Sequence, residues 1–221
     1  MAPNGLTQRR VVGVGSMPSP VPTVLLTAFE PFDGAATNPS MAVVERVAAA
    51  WDRPERLRCA VLPVAYARAQ RELESLLTQD APDVVLGVGL AGGRTRPGVE
   101  RLAVNLRDAR IPDNDGAQPV DEPVIEGGPL ALLTSVPVRA TVARLRAEGR
   151  DVELSMTAGT FVCNAVFYAA ATWAGADPGR RAGFVHVPAH EVDDSAHVVR
   201  AVIEDALDLE RDLLVPTGAT D

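Results

Sequence analysis

The chain has few of the features that mark disulfide-stabilised, membrane-spanning or nucleic-acid-binding proteins. Two cysteines do not make a disulfide framework, and a cytosolic protein would keep both reduced. No apolar run reaches the length of a transmembrane helix. Basic residues number 21 against 29 acidic ones, and the net charge of −8 argues against nucleic acid or an anionic membrane as the main partner.

The two ends of the chain differ in composition from its centre. Arg9 and Arg10 precede an apolar run that is too short and too rich in glycine to predict a signal peptide, so we expect a cytoplasmic protein. Residues 1–22 predict a disordered leader, and residues 216–221 predict a frayed tail. A chain of 221 residues is long enough for one well-buried domain, which we expect at 23–215.

Apolar strands and amphipathic helices alternate through the first half of the chain. The predicted elements are a strand at 23–27, a helix at 40–50, a strand at 58–63, a helix at 66–78 and a strand at 83–89. Ser40 is the expected N-cap of the first helix. This alternation implies a largely parallel sheet covered by helices.

The second half of the chain departs from this rhythm. An irregular stretch at 107–129 is long for a compact domain, and such loops are usually functional or disordered. The regular elements predicted around it are strands at 100–106, 152–157 and 183–188 and helices at 137–148, 164–173 and 193–214.

Cys163 stands where a short apolar strand and a glycine-containing turn run into a helix. A thiol at a helix start meets the positive end of the helix dipole and unpaired backbone N–H groups, which favour the thiolate. The same N–H groups could receive the oxyanion of an attacked carbonyl. The alternative is that Cys163 is a small buried apolar side chain. A catalytic role requires a base beside the thiol.

Three histidines are available as partners. His186 ends an apolar strand, and sites in parallel α/β sheets gather at the carboxyl ends of strands. Paired with a cysteine it is the natural general base; the alternative is a structural histidine. His190 lies near acidic residues, but a solvated loop and a helix start explain that group better than a metal site. His197 is expected on the surface of the last helix.

A Cys–His pair needs a third group that orients the imidazole and stabilises its charged form. Glu100 and Glu30 are the carboxylates nearest to strand ends, and composition does not choose between them. Cys59, in the middle of a predicted strand, is interpreted as a packing residue. The sequence Gly92-Gly93-Arg94 has only a weak likeness to a phosphate-binding loop.

Five motifs, in the right order, resemble those of the pyroglutamyl peptidase I family, also called pyrrolidone-carboxylate peptidases. The resemblance extends from about Val24 to Leu214. The motifs are TAFEPFDG with NPS at 27–40, GLAGGR with ERLAVN at 89–105, ARIPDN with QPVD at 109–121, SMTAGTFVCN at 155–164 and FVHVP at 184–188. The leader has no counterpart in the family pattern.

The resemblance implies roles for individual residues. Cys163 would be the nucleophile, His186 the base and Glu100 the orienting acid. The substrate pocket would be lined by Phe29, Phe32, Ile111, Phe161 and Val162, with Arg110 near the oxyanion. Leu90 and Val64 stand where some members carry Gln and Thr, which affects details of the pocket and not the reaction.

The fold expected from pattern and resemblance is α/β, a single three-layer α/β/α domain with a mixed, mostly parallel sheet. The resemblance implies a cysteine exopeptidase that removes N-terminal pyroglutamyl residues from peptides through a thioester, without cofactor or metal, as a homotetramer. Two alternatives use the same class of fold: a nucleoside phosphorylase-like enzyme, and a peptide-binding or thiol-sensing protein without turnover.

Overall fold

A central six-stranded sheet organises the structure, a computed structural model that describes residues 21–217. The predicted leader, 1–22, lies almost wholly outside the described residues. The strands are β1 (Thr23–Phe29), β2 (Arg56–Leu62), β3 (Val84–Leu90), β4 (Gly98–Glu100), β5 (Leu102–Val104), β6 (Ala131–Leu133), β7 (Glu153–Ser155) and β8 (Arg181–Val187). The helices are α1 (Pro39–Ala49), α2 (Tyr66–Asp80), α3 (Val138–Ala147), α4 (Val162–Gly175) and α5 (Val192–Asp208).

The strand order of the main sheet is β2-β1-β3-β8-β4-β7. The first four strands run parallel, β4 is antiparallel to β8, and β7 is parallel to β4. The predicted mixed, mostly parallel sheet is therefore confirmed. Strands β5 and β6 form a separate antiparallel pair. No helix within residues 21–217 is both long and apolar enough to cross a bilayer.

Helices cover both faces of the sheet. In β1, Val24 and Leu26 join a buried cluster with residues of α1, α3 and α5, while Leu25 and Phe29 join a second cluster with residues of α2 and α4. Successive side chains of a strand point to opposite faces, so a continuous apolar run can supply both clusters. The predicted three-layer arrangement follows from this alternation.

Two predicted helix ends are wrong. Asn38, and not Ser40, caps α1: its Oδ1 accepts from the Ser40 N–H, and Pro39 takes the first helical position. Ser40 is buried and its Oγ accepts from the Phe29 N–H instead, so it ties α1 to β1. At the other end of the chain, α5 stops at Asp208, well before Leu214.

Two predictions about strands are also corrected. The strand expected at 100–106 divides after Glu100, because β4 belongs to the main sheet whereas β5 pairs with β6. Cys59 is exposed and is not a core packing residue, because β2 is an edge strand with its outer surface open to solvent. The stretch at 107–129 is irregular as predicted, apart from one isolated bridge.

Candidate active site

Neighbouring strands of the sheet bring His186 and Glu100 together. His186 in β8 is paired in register with Gly98 of β4, two residues before Glu100. The His186 Nδ1–Glu100 Oε1 distance is 2.8 Å, and both side chains are buried, Glu100 completely. A carboxylate only accepts hydrogen bonds, so Nδ1 donates its hydrogen and leaves Nε2 free to accept a proton.

Cys163 is the second residue of α4, inside its first turn, and it shares a cavity with His186. The first-turn N–H groups of a helix have no intrahelical acceptor and point toward the same end. A thiol, an imidazole and backbone donors are thus assembled at one place in the fold. This arrangement can attack a carbonyl group and hold the resulting oxyanion.

The Cys163 thiol differs in one respect from the expectation based on the helix dipole. Burial raises its pKa to about 12, the negative charge of Glu100 acts in the same direction, and the backbone hydrogen bond at Cys163 opposes both. Loss of solvation therefore outweighs the effect of the helix start on the pKa of this thiol. The sulfur thus needs a base that takes its proton, and His186 is the candidate in the same cavity.

Gly89 of β3 leaves the room that the sulfur occupies. A Cβ at this position would stand 2.7 Å from Cys163 Sγ and 3.0 Å from two ring atoms of Phe184. Gly89 is also the register partner of His186 on β3. Because residue 89 has no side chain, α4 can bring Cys163 this close to β3.

We expect Gly89→Ala to lower kcat/KM by about 100-fold, because even a small displacement of a reacting group is costly. The measurement is kcat/KM on a pyroglutamyl-amide, the substrate class that the sequence resemblance implies, with thermal unfolding as a check that the variant is folded. Gly92→Ala, in the following turn where a Cβ meets no atom within 4 Å, is the matched control and should be nearly neutral. Equal activities for the two variants would contradict the packing argument.

The shared cavity has a volume of about 180 Å³ and a largely apolar wall. Phe29, Phe32 and Phe161 lie in that wall, and the Phe32 and Phe161 ring centroids are 6.2 Å apart. The remaining wall residues, besides Cys163 and His186, are Asn38, Val64, Leu90, Ala158, Gly159 and Thr160. The cavity thus suits a small flat group held beside the thiol.

Three residues expected near the substrate are not in this wall. Val162 is fully buried in the core, because consecutive helical positions point in different directions and Cys163 takes the one that faces the cavity. Ile111 is half-buried on the long loop, and Arg110 beside it is exposed. The cavity wall gives no support to a role of Arg110 at the oxyanion.

Glu30, the alternative orienting acid, has a different set of partners. Its Oε1 accepts from the Val64 N–H at 3.2 Å and from Asn114 Nδ2 at 2.9 Å. Asn114 also donates to the Pro31 carbonyl, so these bonds tie the long loop to the segment that follows β1. Glu100 is therefore the carboxylate that contacts His186, whereas Glu30 anchors the long loop.

Two site residues were missed by the sequence interpretation. Arg94 Nη2 lies 2.9 Å from Glu100 Oε1. Nothing in the sequence indicated that these two side chains form an ion pair. Asn38 both caps α1 and lines the cavity, and its Nδ2 donates to the Glu30 carbonyl. The NPS motif was the only sequence signal for Asn38.

The other histidines lie apart from this site. His190 is exposed, and His197 is exposed on α5 with Nε2 3.5 Å from Glu148 Oε2. Within residues 21–217, no three His, Cys, Asp or Glu side chains are grouped as metal ligands. That no cofactor takes part stays a prediction.

The α/β/α fold and the Cys–His–Glu arrangement define a cysteine peptidase. Residues 22–199 match the family model described as pyroglutamyl peptidase. The pyrrolidone-carboxylate peptidase of Clavibacter michiganensis is 43% identical over 213 residues, which cover 91% of this chain and 100% of the relative. That of Streptomyces coelicolor is 41% identical over 212 residues, 89% of this chain and 98% of the relative. The chain belongs to the pyroglutamyl peptidase family.

Solved structures of family members have the same fold. The pyroglutamyl peptidase I of Bacillus amyloliquefaciens superposes with a TM-score of 0.81 at 35% identity, covering 87% of this chain and 100% of that one. The pyrrolidone carboxyl peptidase of Thermococcus litoralis gives a TM-score of 0.83 at 33% identity, covering 89% and 100%. The expected fold and family are confirmed.

Proposed function

We propose that this protein is a cysteine exopeptidase that hydrolyses the bond after an N-terminal pyroglutamyl residue, with Cys163 as nucleophile, His186 as base and Glu100 as orienting acid. One observation carries the proposal: the His186–Glu100 pair at 2.8 Å opens onto the small apolar cavity that also holds the Cys163 thiol. Membership of the family supports the same reaction and substrate.

The reaction follows from the positions of these groups. His186 Nε2 takes the proton of Cys163 while Sγ attacks the carbonyl carbon of the pyroglutamyl residue. First-turn N–H groups of α4 hold the oxyanion, and Glu100 stabilises the imidazolium. When the intermediate collapses, His186 gives its proton to the leaving amine and a thioester remains. Water then attacks the thioester with His186 as base, which releases pyroglutamate and restores the thiol.

The cavity wall supports selectivity for a pyroglutamyl group. The ring is flat and uncharged because its amine is locked in a lactam, and three phenylalanines offer apolar faces to it. Among the described residues, no carboxylate stands in the wall to receive an ammonium, whose unpaired burial costs several kcal/mol. N-terminal Gln and Pro carry that ammonium, and Pro also lacks the lactam oxygen.

We expect pyroglutamyl-amides to be cleaved at least about 100-fold better in kcat/KM than prolyl- or glutaminyl-amides. The assay uses chromogenic amides of all three residues, with and without iodoacetamide. Comparable rates on the prolyl-amide would contradict the pocket assignment. A phosphorylase would instead need phosphate, and a binding or thiol-sensing protein would show no turnover.

Assembly and location are part of the same proposal. The family resemblance implies a homotetramer, which sedimentation equilibrium measures directly. A cytoplasmic location is proposed because Cys59 and Cys163 are both free, as expected in a reducing compartment. Peptides with N-terminal pyroglutamate are the expected partners; nucleic acid and membrane are not.

A further inference from the structure

Glu100 has a cationic partner in addition to its contact with His186. Its Oε1 lies 2.8 Å from His186 Nδ1 and forms an ion pair with Arg94, whose Nη2 is 2.9 Å away. Glu100 is completely buried, and the Arg94 side chain is 22% exposed. A buried carboxylate is stable in its charged form only when it is paired with a cation. Arg94 supplies that cation whether or not His186 is protonated.

The guanidinium group of Arg94 is held in place by contacts from two further elements. Nη2 also donates to Ser155 Oγ at 2.9 Å, at the end of β7, and to the Thr157 carbonyl at 3.4 Å. Its other terminal nitrogen lies over Gly98 of β4, where a Cβ would overlap Nη1. Arg94 is therefore seated in a space that exists because residue 98 is glycine.

We propose that Arg94 is a positioning residue for the reaction of this site, acting through Glu100, an inference that rests on the proposed function. It fixes Oε1 of Glu100 on the Nδ1 side of His186, which leaves Nε2 available as the base in the cavity shared with Cys163. Arg94 is not in the cavity wall, so it has no direct contact with the pyroglutamyl group. Its loss should slow turnover and leave substrate binding almost unchanged.

The first test is Arg94→Gln, which removes the charge and shortens the side chain. We expect kcat to fall by about 10- to 100-fold with KM changed less than about threefold. Arg94→Lys keeps the positive charge but loses the planar guanidinium with its several N–H donors, so it should recover part of the kcat. The matched control is Arg96→Gln, two residues along the same loop, where the arginine pairs with Asp151 at the surface. Equal kcat values for wild type and Arg94→Gln overturn the proposal.

Gly98→Ala provides a second route, because it displaces the guanidinium while Arg94 stays in the chain. The clash is with the far end of a flexible side chain, so the backbone is not forced to move. We expect a kcat loss similar to that of Arg94→Gln, and no further loss when both changes are combined. Additive losses would show that residue 98 acts by another route and would contradict the proposal.

A double-mutant cycle with Glu100→Gln separates positioning from general stability. If Arg94 acts through Glu100, Arg94→Gln should lower kcat by less than about twofold in the Glu100→Gln background. A structural contribution would instead persist in both backgrounds. Thermal unfolding of each variant checks that the comparison is made on folded protein.

Alkylation of Cys163 distinguishes failure of this proposal from failure of the proposed function. The rate of iodoacetamide addition is followed by intact mass in a Cys59→Ser background, since Cys59 is exposed and would also react. Arg94→Gln and Gly98→Ala should both slow this addition at least about threefold, whether or not pyroglutamyl-amides are cleaved. Wild-type inactivity on these substrates would overturn the proposed function alone, and unchanged alkylation would overturn the role of Arg94.

Discussion

Cys163→Ser should lower kcat/KM on a pyroglutamyl-amide by about 10⁴-fold or more while the protein stays folded. A serine hydroxyl is far less acidic than a thiol, and the desolvation that raises the pKa of the Cys163 thiol makes the hydroxyl still harder to activate. The change is nearly isosteric, so the packing of α4 against the sheet should survive. The measurements are kcat/KM and the temperature of thermal unfolding.

Cys59→Ser is the matched control for this variant. Cys59 is exposed on the edge strand β2, away from the cavity wall, and its replacement should change kcat/KM by less than about twofold. If loss of Cys59 abolished turnover and loss of Cys163 did not, the assignment of the nucleophile would be wrong. Iodoacetamide inactivation should likewise persist in Cys59→Ser and be absent from Cys163→Ser.

Glu100→Gln should lower kcat by about 10³-fold, with a much smaller effect on KM. The amide keeps the shape of the carboxylate but loses the charge that stabilises the imidazolium, and it leaves Arg94 without its anionic partner. Because breaking a buried ion pair also destabilises the fold, the unfolding temperature should fall in parallel. Steady-state kinetics on folded protein separates the two effects.

Glu30→Gln is the comparison that tests the choice between the two carboxylates. The glutamine oxygen can still accept from the Val64 N–H and Asn114 Nδ2, so we expect a loss in kcat of less than about threefold. A larger loss in Glu30→Gln than in Glu100→Gln would exchange the roles of the two residues.

The local pattern of the sequence was sufficient for much of the fold and for two of the three catalytic candidates. Continuous apolar runs predicted β1, β3 and β8, and amphipathic spacing predicted α2, because these signals lie within a single element. Cys163 was singled out by the strand, turn and helix pattern around it, and His186 by its place near the end of a strand, and both signals are local. The motifs then identified the family.

Tertiary structure decided the features that depend on partners from different elements. The register of β8 against β4 places Glu100, and not Glu30, beside His186. The chain also changes sheet after Glu100, so the segment predicted as one strand at 100–106 forms parts of two. The raised pKa of Cys163 results from desolvation of its thiol and from the nearby charge of Glu100. Composition and spacing describe what each segment forms by itself, whereas hydrogen bonds, desolvation and the room left by Gly89 and Gly98 depend on which atoms the folded chain brings within a few ångströms.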